Sequence, residues 1–138
     1  MKKTDRIIFD TNSLISAVLI PRSVSQKALS KAEDNSTIVF SQETFEELSR
    51  VLIRSKFDKY ISFSERMEFL ERLRETGKMI STESDFKICR DIKDNKFLNL
   101  AYDGNAYCIV SGDNDLLVLN PFENIPIVSP ADFLKFDL

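Results

Sequence analysis

The sequence predicts an α/β protein with a central, mostly parallel sheet that helices cover on both faces. Short apolar runs of strand character alternate with longer segments of helical periodicity, which is typical of crossover connections between parallel strands. The runs 7–9 and 109–110 are almost purely apolar, as strands buried on both faces are. Glycine is scarce, at 3 of 138 residues, which argues against a many-turned all-β chain. The length fits a single domain over residues 1–138.

The first half of the chain predicts two strands and four helices. Residues 6–10 form a strand-type run, and Thr11, Asn12 and Ser13 offer caps for a helix that Pro21 ends. The other elements of this half are a helix at 23–34, a strand at 37–40, a helix capped by Ser41, and a helix at 62–77 that opens with a capping box.

The second half predicts three strands and three helices. They are a short strand at 78–81, a helix at 94–104 that Gly104 stops, a strand at 107–111, a short helix at 113–118, an edge-type strand at 125–128, and a last helix that Ser129 opens. In open parallel sheets, ligands bind beyond the carboxyl ends of the strands, where the strand order reverses. Functional residues are therefore expected directly after the strands.

The composition excludes several kinds of chemistry. The chain has no His, which rules out His-dependent acid–base catalysis, Ser–His and Cys–His nucleophile pairs, and His-ligated zinc. Two Cys cannot build a four-thiolate zinc site, and Cys89 and Cys108 lie far apart in the chain. Together with the lack of a secretory signature, this predicts reduced thiols and a cytoplasmic location. No apolar run approaches the roughly 20 residues of a membrane span, so we expect no membrane association.

The net charge of −3 argues against binding nucleic acid through overall charge alone. A nucleic-acid role would need a local basic rim, or metal ions that offset the acidic residues.

Acidic residues lie at or near the expected carboxyl ends of the strands. Asp10 ends the first strand, where Asp is rare, and the polar residues after it could cap the helix without it. Asp94 and Asp113 each open a helix, so helix capping is an alternative role for both. Glu47 is preferred to Glu46, because Glu46 can pair with Arg50 one turn later on the helix.

Four carboxylates at one edge of a sheet repel one another unless a cation lies between them. Oxygen ligands alone select hard divalent ions, Mg²⁺ or Mn²⁺, rather than zinc or copper. Such an ion lowers the pKa of a bound water and supplies a nucleophile without His. The residues thus predict a metal-assisted site at Asp10, Glu47, Asp94 and Asp113.

Four segments in order resemble the motifs of the PIN-domain family. They are residues 8–12, residues 46–52 with 55–57, residues 90–98, and residues 109–117. The residues in these motifs are most similar to those of the branch of toxin components of bacterial toxin–antitoxin pairs. The resemblance runs from about Asp5 to Leu134, and its strength lies in the order and spacing of all four motifs.

The resemblance implies a three-layer α/β/α sandwich with a central mostly parallel sheet, and a metal-dependent ribonuclease. The acidic set of the family falls on Asp10, Glu47, Asp94 and Asp113, with Asp115 as a fifth candidate ligand of Mg²⁺ or Mn²⁺. Asn12 and Ser111 fall where the family places small polar residues that orient the first carboxylate and the metal waters. Implied partners are an RNA substrate, a cognate antitoxin protein and a second copy of the chain in a homodimer.

Four basic residues near these motifs are candidates for contacts to the phosphate backbone: Lys93, Lys96, Arg54 and Lys56. Solvated surface lysines and arginines are the alternative for each of them. Ile92 and Ser55 stand where this branch of the family often has proline, which affects turns rather than chemistry.

Two other functions compete with the nuclease hypothesis. A phosphatase that uses Asp10 as nucleophile would need a second Asp two residues later, where this chain has Asn12. A binding module could keep the fold and cleave nothing, although the intact acidic set argues against it. Cleavage of labelled single-stranded RNA with Mn²⁺ or EDTA distinguishes these functions.

Overall fold

The computed structural model describes residues 1–136, so the domain expected over 1–138 extends two residues beyond the described part. Its centre is a five-stranded sheet in the order β3-β2-β1-β4-β5, in which all neighbouring strands are parallel. The strands are β1 (Arg6–Phe9), β2 (Thr37–Phe40), β3 (Lys78–Met79), β4 (Cys108–Val110) and β5 (Ile127–Val128). This confirms the predicted α/β class with a parallel sheet.

The helices occupy the predicted segments. They are α1 (Thr11–Leu19), α2 (Val24–Asn35), α3 (Gln42–Leu52), α4 (Phe63–Thr76), α5 (Asn95–Asp103), α6 (Asn114–Leu117) and α7 (Pro130–Phe133), with single 3₁₀ turns at Ser55–Phe57 and Ile92–Asp94. In the part of the chain that the structure describes, no helix is long and apolar enough to cross a membrane.

Successive strand residues alternate between two cores, one on each face of the sheet. In β1, Ile7 and Phe9 belong to a core that α1, α2, α3, α4 and α7 cover. Ile8 lies on the opposite face, in a second core that α5 and α6 cover. The near-continuous apolar strands are therefore explained by burial on both faces, which gives three layers.

The strand order reverses at β1, and this fixes the place of the site. The chain leaves β1 through α1 and α2 to reach β2 on one side, whereas β4 returns through α5 to the other side of β1. A crevice therefore opens beyond the carboxyl ends of β1 and β4, as in other open parallel sheets. Asp10 and Ser111 directly follow these two strands.

The start of α1 differs from the sequence prediction. Thr11, Asn12 and Ser13 were expected to cap this helix, but all three lie within it and Asp10 is the N-cap. Asp10 has an extended backbone, and its Oδ1 accepts a hydrogen bond from the Ser13 amide at 2.9 Å. An Asp with this geometry satisfies a free amide at the helix start as well as Ser or Asn does.

Candidate active site

Asp10 is held at the carboxyl end of β1 by contacts on every side. Its amide donates to the Val110 carbonyl at 3.1 Å, which extends the β1–β4 pairing by one bond. Its Oδ1 accepts from the Ser13 amide, and its Oδ2 accepts from the Ser111 hydroxyl at 2.6 Å. The residue is only 4% exposed. Burial raises the pKa of Asp10, and the hydrogen bonds from Ser111 and Ser13 oppose that rise.

The hydroxyl of Ser111, which has no exposed surface, connects two of the acidic residues. It donates to Asp10 and accepts a hydrogen bond from the Asp113 amide at 3.0 Å. Asp113 in turn caps α6, because its Oδ1 accepts from the Asp115 amide at 2.9 Å. Ser111 thus connects Asp10 with Asp113 through its hydroxyl, and capping explains one of the two Asp113 oxygens.

Asp94 precedes α5 but does not cap it. Its side chain makes no cap hydrogen bond, and its Oδ2 is buried without a hydrogen-bond partner. Burial, followed by the adjacent carboxyl of Asp113, raises the pKa of Asp94 to about 7, with smaller contributions from Asp91 and Asp10. The capping alternative is therefore not supported for Asp94, whose carboxyl forms no ion pair with any Lys or Arg of residues 1–136.

Glu47 has different surroundings from the three aspartates. The hydroxyl of Thr11 donates to its Oε1, and the ammonium of Lys96 lies 2.7 Å from its Oε2. Both partners are largely buried, with side-chain exposures of 18% for Glu47 and 12% for Lys96. One ammonium and one hydroxyl therefore satisfy both oxygens of this carboxylate.

The choice of Glu47 over Glu46 agrees with where the two side chains lie. Glu47 lines the same cavity as Asp10, Asp94 and Asp113, whereas Glu46 is exposed and accepts a hydrogen bond from the Gln42 amide group at 3.0 Å. The predicted pairing of Glu46 with Arg50 is not formed, and Arg50 lines that cavity too.

A cavity of about 350 Å³, here called the acidic cavity, brings the candidate residues together. The four acids Asp10, Glu47, Asp94 and Asp113 all line it. So do Asn12 and three of the four predicted basic residues, Arg54, Lys56 and Lys93. Arg50 and Asp91 are additional lining residues.

Three predicted residues do not line the acidic cavity: Ser111, Lys96 and Asp115. Lys96 lies behind Glu47 and lines a neighbouring cavity. Asp115 lies beyond Asp113, where its amide donates to Asp113 and its carbonyl accepts from the Cys89 thiol at 3.4 Å.

Sequence reasoning missed Arg50 and Thr11. Arg50 follows Glu47 by three residues on α3, so helical spacing could have placed both on one face. Nothing in the sequence connects Thr11 with Glu47.

The donor set suits a hard divalent cation. All the candidate ligands are oxygens, and the buried, unpartnered Oδ2 of Asp94 beside Asp113 marks the place where positive charge is lacking. Within residues 1–136, no group of three or more Asp, Glu or Cys side chains is arranged so that it could hold a metal ion by itself. Mg²⁺ needs no such cage, because one or two carboxylates with waters and substrate phosphate oxygens are enough. Asp94 and Asp113 therefore fit as holders of the ion.

Comparison with known sequences identifies the family. The sequence profile of the PIN domain matches residues 6–115. This chain belongs to the PIN-domain family. PIN domains are generally nucleases and typically use divalent metals. The uncharacterized protein MJ1680 of Methanocaldococcus jannaschii is 30% identical over 116 residues, which cover 83% of this chain and 74% of that protein.

Two solved structures share the PIN fold of this chain. The crystal structure of PAE2754 from Pyrobaculum aerophilum aligns with a TM-score of 0.62 at 12% identity, covering 96% of this chain and 89% of the other. VapBC2 from Rickettsia felis, solved bound to a DNA fragment from its promoter, aligns with a TM-score of 0.60 at 14% identity, covering 88% of this chain and 96% of the other. At these identities the likeness concerns the fold.

Proposed function

We propose that this PIN domain is a metal-dependent endoribonuclease that hydrolyses RNA phosphodiesters with a metal-activated water. The observation that carries the proposal is the unbalanced negative charge at the Asp94–Asp113 pair, in a cavity that also presents Arg50, Arg54 and Lys56. Acidic groups that lack a cation, next to basic groups that attract phosphate, suit metal-assisted cleavage of a phosphodiester.

The residues of the chain divide the work as follows. Asp94 and Asp113 would hold Mg²⁺ or Mn²⁺, and Asp10 lies near them in an orientation that Ser13 and Ser111 fix. Such an ion would supply an activated water and offset negative charge on the phosphate. The basic residues that line the same cavity bind and orient the RNA backbone.

The same proposal includes the biological role of a toxin in a type II toxin–antitoxin pair. The residues in the four motifs support this role, and the structural similarity to VapBC2 suggests an antitoxin partner. A small open reading frame beside the gene, whose product binds this protein and blocks its cleavage of RNA, would support the role. Full cleavage activity in the presence of that product would contradict it.

The test of the enzyme compares metal-dependent cleavage in three proteins. Labelled single-stranded RNA is incubated with wild type, Asp10→Asn or Glu46→Gln, in Mn²⁺ and in EDTA. Asn caps helices as well as Asp does, so Asp10→Asn removes charge while keeping the start of α1. We expect cleavage in Mn²⁺ only, a loss of at least about a hundredfold in Asp10→Asn, and wild-type rates in Glu46→Gln.

Two outcomes would contradict the proposal. Cleavage that EDTA leaves intact would exclude metal dependence, and full activity in Asp10→Asn would exclude the acidic cavity as the site. RNA binding without any cleavage would favour the catalytically inactive binding module instead.

A further inference from the structure

A second cavity, of about 410 Å³, adjoins the acidic cavity, and the proposed function assigns it no role. The two cavities share Lys93 as a lining residue. Lys96 also lines the second cavity, while its ammonium contacts Glu47, a lining residue of the acidic cavity. A single extended polymer that crosses the wall formed by Lys93 and Lys96 would therefore occupy both cavities.

Two asparagines on one face of α5 present fixed amide groups to the second cavity. Asn95 Oδ1 accepts a hydrogen bond from the Cys89 amide at 2.9 Å, and Asn99 Oδ1 accepts from the Phe86 amide at 2.7 Å. These bonds fix which atom of each side chain is the oxygen, so the NH₂ groups are the remaining donors. No oxygen of residues 1–136 accepts a hydrogen bond from either NH₂ group.

The burial of Asn95 strengthens this observation. The residue is only 7% exposed, and its amide nitrogen, which has no hydrogen-bond partner within residues 1–136, keeps a small contact with solvent. Asn95 is one of the residues that line the second cavity. A nearly buried donor that faces a cavity without a partner is expected to bind an acceptor there.

The other lining residues narrow the chemistry of the ligand. Phe86 supplies an aromatic surface, and Lys93 supplies a positive charge that forms no ion pair within residues 1–136. Lys87 is paired with Asp85 at 3.5 Å, Lys96 is paired with Glu47, and Glu43 is a further acidic lining residue. Amide donors and an aromatic surface suit the flat edge of a nucleobase, and Lys93 suits its phosphate. The volume falls in the range of ordinary ligand pockets.

We propose that the second cavity binds one nucleotide of a single-stranded RNA whose neighbouring phosphodiester lies in the acidic cavity. The NH₂ groups of Asn95 and Asn99 donate to acceptor atoms on the base, and Lys93 contacts the phosphate between the two cavities. Glu47 acts as a positioning residue, because its contact with Lys96 keeps that ammonium on the shared wall. This subsite rests on the proposed ribonuclease function for the identity of the strand.

Asn99→Asp is the sharpest variant, because Asp keeps the oxygen that accepts from the Phe86 amide and replaces only the donor NH₂. Asn124→Asp is the control: it adds the same charge at an exposed residue that lies before β5 and does not line the second cavity. Lys87→Gln is a second variant whose folding is not at risk, since this side chain is 78% exposed.

Affinity for short fluorescent single-stranded RNA is measured by anisotropy in EDTA, where no cleavage occurs. We expect Asn99→Asp to raise Kd at least about tenfold, Lys87→Gln about threefold, and Asn124→Asp less than twofold. In Mn²⁺, Asn99→Asp should raise KM while kcat stays within about twofold, as loss of a binding contact does.

A series of RNAs with a single abasic position identifies the base. At one position, the loss of the base should weaken binding to wild type about tenfold. The same loss should not weaken binding to Asn99→Asp any further, because the base and Asn99 form one contact that either change removes. An unchanged Kd in Asn99→Asp, or additive losses at every abasic position, would overturn the subsite. Wild type that binds no RNA would overturn it as well.

The proposed function and the subsite fail in distinguishable ways. Cleavage by wild type that Asn99→Asp leaves unchanged in both KM and kcat would refute the subsite alone. Binding that depends on Asn99, in a protein that never cleaves RNA, would refute the ribonuclease and leave the subsite standing.

Discussion

The two sides of the acidic cavity differ in how their charge is balanced. On one side, Glu47 is neutralised by Lys96 and accepts a hydrogen bond from Thr11. On the other side, Asp94 and Asp113 lie together, no Lys or Arg of residues 1–136 forms an ion pair with either of them, and Asp94 keeps a buried oxygen without a partner. Glu47 is therefore balanced by a basic residue of the chain, whereas the Asp94–Asp113 pair has no such partner within residues 1–136.

This difference changes how favourable the binding of a metal ion would be on each side. An ion at Asp94 and Asp113 relieves the repulsion between two carboxylates. An ion at Glu47 must first displace a lysine that already satisfies the carboxylate. We therefore expect divalent ions to bind first on the Asp94–Asp113 side. The same argument predicts that neutralising an acid has opposite effects on stability at the two sides.

The largest effect is expected for Glu47→Gln. This change leaves the ammonium of Lys96, only 12% exposed, without its counter-charge, and breaking one partner of a largely buried pair is costly. We expect the free energy of unfolding to fall by about 2–3 kcal/mol in EDTA. Urea denaturation at pH 8 measures it, and Glu46→Gln, exposed on the same helix, should change stability by less than about 0.5 kcal/mol. Equal stability of the two variants would show that the Glu47–Lys96 contact does not balance charge in solution.

The opposite sign is expected for Asp94→Asn, and it depends on pH. The pKa of Asp94 rises from 3.8 to about 7 in the folded chain, so between these values the folded state holds a proton that the unfolded state has lost. The free energy of unfolding therefore decreases as pH rises from about 4 to about 7. After solvent screening we expect this loss to be about 1–2 kcal/mol.

Asp94→Asn should remove that part of the pH dependence and be more stable than wild type at pH 8 in EDTA. Asn also has an NH₂ group that can donate to Asp113. Denaturation curves at several pH values measure both effects. A wild-type stability that rises over this pH range, or a destabilised Asp94→Asn, would show that the Asp94–Asp113 side is not short of positive charge.

Much of this arrangement could be predicted from the sequence, because it depends on chain order. Acids that lie at or shortly after the carboxyl ends of parallel strands meet at one edge of the sheet, which explains why the sequence could place Asp10 and Asp113 together. The contacts of Glu47 were not predictable in this way, since they depend on how α3 packs against α1 and α5. Local capping geometry was also ambiguous: Asp10 and Asp113 cap helices, whereas Asp94 does not.

The smallest effect is expected for Asp115, which the family resemblance made a fifth candidate ligand. Its side chain is not among those that line the acidic cavity, and it lies in the first turn of α6, where an acidic residue favours the helix. Asp115→Asn should therefore change cleavage less than about threefold and stability by at most about 0.5 kcal/mol. Asp113→Asn is the matched comparison, since it keeps the helix cap but removes charge from the pair, and should lose at least about a hundredfold in activity. Cleavage rates in Mn²⁺ measure both variants. A loss in Asp115→Asn as large as that in Asp113→Asn would mean that the unbalanced side of the cavity extends to a third carboxylate when RNA and metal are bound.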